Sequence, residues 1–210
     1  MEKTSYFYSL IETRFGEAGV VFHQDRDRFL VCRIVLPYME RKATANITAK
    51  YPGAVMNPLN CGAVCTQIDD FLSGETVAFD FSGLDFGIVS GFARIVLKAV
   101  FKIPRGFVMT YGGLAASLGV PGGARAVGNA LAGNPFPLVI PCHRVIKGDG
   151  SLGGFGGGTK LKRSLLELEQ VSFNKKERVL SGHILTEYSE MARIASQRLA
   201  SPEWTGKDWF

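Results

Sequence analysis

The sequence predicts an α+β protein: a small mixed α/β N-terminal domain over residues 1–88, a mainly helical domain over 89–170, and a C-terminal extension over 171–210. Three observations predict it. Residues 1–81 read as strands with an interleaved helix, from strand-like runs such as "GVVFHQ" and "RFLVCRIVLP" and the alternating "TVAFDF". From about Val89 the apolar spacing changes to the 3.6-residue period of helices. Between 106 and 158, clustered Gly and Pro cut the chain into short elements. At 210 residues the chain fits one large domain or two small ones and can bury a real core.

Taken in order, "GVVFHQ" and "RFLVCRIVLP" flank "DRD" and form a hairpin. "CGAVCTQIDDFL" sets Cys61, Val64, Cys65, Ile68, Phe71 and Leu72 on one helical face, so both cysteines are expected as small core residues. "TVAFDF" alternates like a strand, "SGLDFG" is a turn, and the domain boundary falls near 86–90.

In the second half, Phe92, Ile95, Val96, Ala99, Val100 and Ile103 share a helical face, and "IPRG" ends that helix. Thr110 is a candidate N-cap for a helix from about Tyr111 to Leu118. "GVPGG" turns the chain into a second helix starting near Ala124, with Arg125 in its first turn and small or apolar residues after it. Two short helices across a tight Gly-containing turn are a helix-turn-helix pattern, or an αα-hairpin that binds nothing. "FPLVIPCHRVI" is an apolar run broken by Pro141, which cannot sit in mid-sheet and kinks the chain just before Cys142. "KGDGS" is a turn, and Thr159 is a candidate cap for "KLKRSLLELEQ", where Leu161, Leu165 and Leu168 share a face with Glu169 at its edge. "YSEMARIASQRLA" reads as an amphipathic helix, and "SPEWTGKDWF" carries no assignable chemistry.

Composition narrows the function classes. No run of 18 apolar residues exists and the N-terminus does not read as a signal peptide, so no membrane role is expected and the cytoplasm is the expected location, or the nucleus in a eukaryote. Four cysteines without a secretory signal argue against a disulfide framework. Three histidines and no Cys-x-x-Cys pair argue against a metal site. Residues 91–170 hold ten Lys and Arg against three carboxylates, a net +7 in a chain of +5, which leaves −2 elsewhere. A basic block beside a near-neutral partner suggests a polyanion, most simply nucleic acid, or else a merely solvated surface.

The stretch "PCHRVIKGDGSLGGFGGG" concentrates the chemistry. Gly148, Gly150 and Gly153 match G-x-G-x-x-G, but four further glycines follow where the fingerprint opens a helix, each costing about 1 kcal/mol there. Glu169 also lies in a helix rather than at a strand end, so a dinucleotide loop is rejected. Cys142 followed by His143 and Arg144, with Glu169 able to orient a histidine, supplies the members of a base-activated thiol site. Neighbours in an extended segment point opposite ways, so direct contact of Cys142 with His143 needs a turn or a bridging water. A buried inert cysteine is the alternative. The glycine run around Phe155 lets backbone approach a flat ligand against an aromatic wall, or is a flexible linker.

"IPRGFVMTYGGLA", "ARAVGNALAGNPFPLVIPCHRV", "DGSLGGFGGG" and "KRSLLELE" together resemble the C-terminal domain of the O6-alkylguanine-DNA alkyltransferases, suicide DNA-repair proteins. The resemblance covers roughly residues 70–170. It implies a winged-helix-like second domain and no cofactor. It makes Cys142 the alkyl acceptor, His143 its base through a water, and Glu169 the group that orients His143. Asn134 would bridge the helix-turn-helix and the acceptor segment. Tyr111 would sit by the flipped nucleotide, and Arg125 would fill the vacated place in the base stack. Thr110 and Ala126 join Tyr111 and Arg125 as DNA-binding residues. Leu131, Pro137, Val145, Phe155, Gly156 and Gly157 would form the substrate pocket, with the carbonyls of Cys142 and Val145 accepting from the guanine amine. The expected partner is double-stranded DNA containing O6-alkylguanine, with O4-alkylthymine left open, and the expected state is a monomer. Phe155 stands where many relatives carry tyrosine, which keeps the stacking wall and removes a hydroxyl donor. Two other functions remain distinct: a non-catalytic damage recogniser and a multiple-turnover thiol hydrolase.

Overall fold

The computed structural model describes residues 5–38, 42–57, 62–79, 81–89 and 91–187. It is a mixed α/β structure. Strands β1 (Tyr6–Thr13), β2 (Gly16–Asp25) and β3 (Arg28–Val35) form an antiparallel meander, and β2–β3 is the hairpin read from the sequence. Helix α1 (Ala43–Lys50) follows, and the short strand β4 (Val55–Met56) pairs parallel to β1, giving the sheet order β3-β2-β1-β4.

Alternation along β2 divides its side chains between two apolar clusters. Ala18, Val20 and Phe22 join the main core, whereas Val21 packs with Cys32 of β3 and Ile47 of α1 on the opposite face. Gly19 permits that packing: a Cβ there would lie 2.6 Å from Ile47 Cδ1. Helix α2 (Gly62–Ser73) covers the main-core face with Val64, Ile68, Phe71 and Leu72. Cys65 packs partly buried beside that core as expected, but it is disulfide-bonded rather than a free thiol. Cys61 lies outside the described residues.

The strand expected at "TVAFDF" does not form over residues 75–79. Alternation is satisfied another way: Val77 and Phe79 pack on the core without joining a ladder. The β3 edge that such a strand could have extended is covered by loops. Val31 N–H donates to Gly83 O, Asp85 N–H to Val31 O, and Ile34 N–H to Pro135 O.

Helix α3 (Gly91–Phe101) buries Val96, Leu97, Ala99 and Val100. Ile103, beyond its end, is fully buried, but Ile95, expected on the same face, is 55% exposed. Strand β5 (Val108–Thr110) leads into α4 (Tyr111–Ser117), and a turn at 118–123 leads into α5 (Ala124–Ala132). Strand β6 (Val145–Ile146) precedes the glycine loop and α6 (Gly158–Leu168). Thr159 is not the cap of α6, because the helix begins one residue earlier, with Gly157 at the N-cap and no side-chain cap bond.

Residues beyond Gln170 supply structure that composition did not show. Strand β7 (Ile184–Leu185) pairs parallel to β5, completing a three-stranded sheet of order β6-β5-β7. His183 ties this segment down: its Nδ1 pairs with Gly106 O at 2.9 Å and its Nε2 accepts from Ser172 N–H at 3.2 Å. Val108, Ile146, Leu166, Val171 and Val179 form a second core beneath it. The amphipathic stretch expected from Tyr188 onward lies outside the described residues. Among the described residues, no helix is long and apolar enough to cross a membrane.

Candidate active site

Cys142 sits on a turn built by its predecessor. Pro141 adopts φ −78° and ψ 62°, an inverse γ-turn, and Cys142 N–H closes it by donating to Ile140 O at 2.7 Å. Cys142–Arg144 then form one turn of 3₁₀ helix before β6 begins. The acceptor candidate is therefore on a tight turn, not on an extended strand, and the objection that Cys142 and His143 must face opposite ways falls away. Leu138 in the preceding loop is held at φ 75°, a left-handed conformation costly for a residue with a branched side chain, and it is fully buried.

Asn134 holds this turn. It follows α5, and its Nδ2 donates to Ile140 O at 3.0 Å and to Cys142 Sγ at 3.2 Å, while its Oδ1 accepts from Phe136 N–H at 3.0 Å. The expected bridge between the helix pair and the acceptor segment is thus present as geometry. Cys142 retains 8% exposure and His143 beside it has none.

His143 Nε2 lies 3.0 Å from Glu169 Oε1, both fully buried side chains. A carboxylate only accepts, so Nε2 carries the proton and Nδ1 presents its lone pair. Nδ1 is buried without a hydrogen-bond partner. Burial pushes the His143 imidazole pKa below its ordinary value, more than Glu169 raises it, so the ring is neutral near pH 7 and can take a proton. Burial alone would raise Glu169, but the Arg144 guanidinium and His143 outweigh it and hold the carboxyl down to about 2.

Arg144 was read from the sequence as a neighbouring charge beside the thiol, not as the partner of Glu169. Its Nε bonds both carboxylate oxygens of Glu169 at 3.1 and 2.9 Å, its Nη2 bonds Oε1 at 2.6 Å, and Nη1 donates to Ile103 O at 2.6 Å. The signal was available: a buried carboxylate needs a cation, and Arg144 adjoins His143 in sequence.

Lys162 was missed. It occupies α6, has no exposed surface, and donates from Nζ to Val145 O at 2.5 Å. Burial lowers its pKa to about 8, against the opposing pull of Cys142. Burial raises the Cys142 thiol, with Asn134 and the Lys162 charge acting against that rise. The helical spacing that puts Leu161 and Leu165 inward gave no warning that Lys162 between them is buried too.

Tyr111 opens α4, and its ring lies between two glycines. A Cβ on Gly128 would sit 3.9 Å from its Cε1, and one on Gly153 would sit 3.3 Å from its Cε2. Gly153 also has φ +73°. Lys162 Nζ is 5.9 Å from the Tyr111 ring centre. Burial and the nearby Cys142 raise the Tyr111 hydroxyl pKa.

The remaining expected residues divide by burial. Leu131 and Val145 are buried in the cluster that contains Cys142, with Phe155 packed partly buried against it. Phe155 meets the His143 ring edge-on at 6.3 Å. Pro137 and Gly157 are buried and Gly156 is exposed, and Gly157 faces Leu161 and Leu36. One lone pair of the Val145 carbonyl is already engaged by Lys162. Thr110 caps α4, its Oγ1 accepting from Gly113 N–H at 2.9 Å. Arg125 and Ala126 are exposed at the start of α5, opposite its buried Val127 and Leu131. Among the described residues, no group of three His, Cys, Asp or Glu could hold a metal ion.

Residues 91–171 match the model of the 6-O-methylguanine DNA methyltransferase DNA-binding domain. A methylated-DNA–protein-cysteine methyltransferase of Methanothermobacter thermautotrophicus is 49% identical over 123 residues, covering 59% of this chain and 69% of that protein. A protein of the same name from Mycobacterium bovis is 46% identical over 109 residues, covering 52% of this chain and 64% of its own length. Among solved structures, the O6-methylguanine methyltransferase of Mycobacterium tuberculosis superposes with a TM-score of 0.64 at 32% identity, covering 79% of this chain and 93% of that one. The same organism's OGT in complex with DNA superposes with a TM-score of 0.62, also at 32% identity, over 78% and 92% of the two chains. A turn-borne cysteine, its Asn, His and Glu partners, and identity that reaches across more than two thirds of a named relative have one explanation: the chain belongs to the methylated-DNA–protein-cysteine methyltransferase family.

Proposed function

We propose that this chain repairs DNA by moving an alkyl group from guanine O6 to Cys142, once per molecule. The observation that carries the reading is the Cys142 turn itself. A thiol with slight exposure receives the Asn134 amide at 3.2 Å and has a neutral, buried, Glu169-oriented imidazole beside it.

In this reading the thiol proton passes to His143 Nδ1 through a bridging water, and Glu169 stabilises the imidazolium. Sγ attacks the alkyl carbon, the S–C bond forms as the C–O bond breaks, and the electron pair stays on guanine O6. Tyr111 gives its phenolic proton to the leaving purine, which departs neutral, and the phenolate regains a proton from solvent as the imidazolium releases the one it took from the thiol. The thioether left on Cys142 has no easy leaving-group route back, so the protein is spent. A raised thiol pKa in the resting protein suits such a reagent, since a protonated sulfur is spared wasteful alkylation until a substrate is seated.

O6 cannot be reached inside a duplex, so the nucleotide must rotate out, at a cost of a few kcal/mol. Helices α4 and α5 act as the helix-turn-helix, and the β6-β5-β7 sheet beside them supports a winged-helix-like arrangement for the DNA-binding and acceptor domain. Exposed Arg125 at the head of α5 fills the gap in the base stack. The slim α5 face, with Ala126 beside it, offers little for reading base edges, so groove shape and phosphates dominate binding.

Intact-mass measurement tests the reading. After incubation with DNA containing O6-methylguanine, the protein gains the mass of one methylene, located at Cys142, and Cys142→Ala gains none while staying folded. Binding without mass change, or transfer by the alanine variant, overturns it.

A further inference from the structure

A cavity of about 420 Å³ is bordered by the loop that carries Asn134. Its walls come from both halves of the chain: Tyr6 of β1, Cys32 and Arg33 of β3, Lys50 and Tyr51 at the end of α1, and Gly133 and Pro135, which flank Asn134. Cys142 is not among its lining residues. We propose that this cleft binds a small aromatic anion, a single ring carrying one phosphate or carboxylate.

Charge is the first argument. Arg33 and Lys50 both line the cavity and no carboxylate does. Among the described residues neither cation makes a salt bridge. Asp85, close enough to act on Cys32, is already bound to His23 at 3.0 Å. Two like charges sharing a partly enclosed cleft leave a positive potential that an anion relieves. Burial and the Arg33 charge lower the Lys50 pKa, in keeping with an unmet cation.

Shape is the second. The Tyr6 and Tyr51 rings stand 4.9 Å apart at 58°, forming one aromatic side of the cleft. Val89, Ala93 and Pro135 supply apolar surface around it. Apolar and aromatic walls with a few convergent charges, in a volume of several hundred Å³, are the usual make-up of a small-molecule site. A bare inorganic ion would leave the aromatic wall unused, and a neutral ring would leave both cations unpaired.

Calorimetry on the full chain tests this, with phenyl phosphate and benzoate as probes and phenol and inorganic phosphate as controls. We expect one-to-one binding of at least one aromatic anion, at least tenfold tighter than either control, and the probe that binds better identifies the head group. Arg33→Gln and Lys50→Gln should each weaken binding threefold or more. Lys50 is exposed, so its variant folds even where the half-buried Arg33 variant does not. No binding of either aromatic anion, equal binding of phenol or inorganic phosphate, or wild-type affinity in the Lys50 variant overturns the proposal. None of these outcomes depends on alkyl transfer.

Discussion

Lys162 bears directly on the acceptor at the scale of single residues. Its ammonium is fully buried, bonded to the Val145 carbonyl, and electrostatically coupled to Cys142. A cation there favours the thiolate that burial disfavours. Lys162→Met keeps the packed stem and removes the charge. We expect the single-turnover rate of alkyl transfer to fall about tenfold or more, since one pKa unit at Cys142 is worth about 1.4 kcal/mol. The far-ultraviolet spectrum should not change. An unaltered rate would show that Lys162 serves packing alone. Cys142 and His143 were legible because they stand side by side after a proline, and Glu169 because it edges an apolar helical face, whereas Asn134 was reached only through the family resemblance. The inward roles of Lys162 and Arg144 were not legible, because nothing in a helical or strand-like pattern marks a cation for burial until the neighbouring carbonyl and carboxylate are in view.

At the scale of elements, local backbone geometry decides how the motif works. Proline at 141 predicted a kink, and the kink is an inverse γ-turn that converts two adjacent residues into a thiol and a base on one tight turn. The glycine loop is equally specific. Gly153 has φ +73°, and a Cβ would come within 3.3 Å of the Tyr111 ring. Gly153→Ala should cost about 1–3 kcal/mol in chemical unfolding, because the left-handed conformation disfavours any side chain. It should also slow transfer by displacing Tyr111. If stability and rate both match the parent, the loop is a passive linker. Thr110 shows how local rules succeed: its predicted cap bond is present at 2.9 Å. Thr159 shows how they fail, because Gly157 brings the helix start forward.

Across the whole molecule, the basic block of the second half shrinks on folding. Of its ten cations, Arg144 is bound to Glu169, Lys162 is buried, Arg163 pairs with Glu167 and Glu177, and Arg94 and Arg105 bond carbonyls. At least half of the block is therefore already engaged within the protein. The buried His143–Glu169–Arg144 chain also sets the acid limit. Glu169 is held at about 2 and His143 below its ordinary 6.5, so each binds protons more weakly folded than unfolded. Their stabilisation is complete above about pH 6.5, falls first as unfolded histidine charges, and is lost further as pH drops from the ordinary carboxylate range toward 2. Urea unfolding at a series of pH values should show this slope. Glu169→Gln should flatten its acid part and cost about 3 kcal/mol at pH 7 by stranding Arg144. A third consequence concerns residues 171–187. A chain ending at Gln170 loses β7, the His183 bonds and the Val171 and Val179 contacts, and should melt several degrees lower than one ending at Glu187.

Asn134 and Tyr111 entered the site only through the family resemblance, whereas the residues by themselves determined the shift to helical spacing near Val89, the helix pair, the kink before Cys142 and the set Cys142, His143 and Glu169. These are properties of spacing and of residues with restricted backbones, and they act over a few positions. Only the tertiary structure decided that Val77 and Phe79 pack without joining a ladder, that Ile95 faces solvent, that β7 completes the second sheet, and that Arg144 and Lys162 turn inward to their partners. Those outcomes depend on which distant groups need a strand edge covered, a carboxylate neutralised or a carbonyl satisfied. Such needs arise from contacts between segments far apart in the chain, which no local pattern encodes.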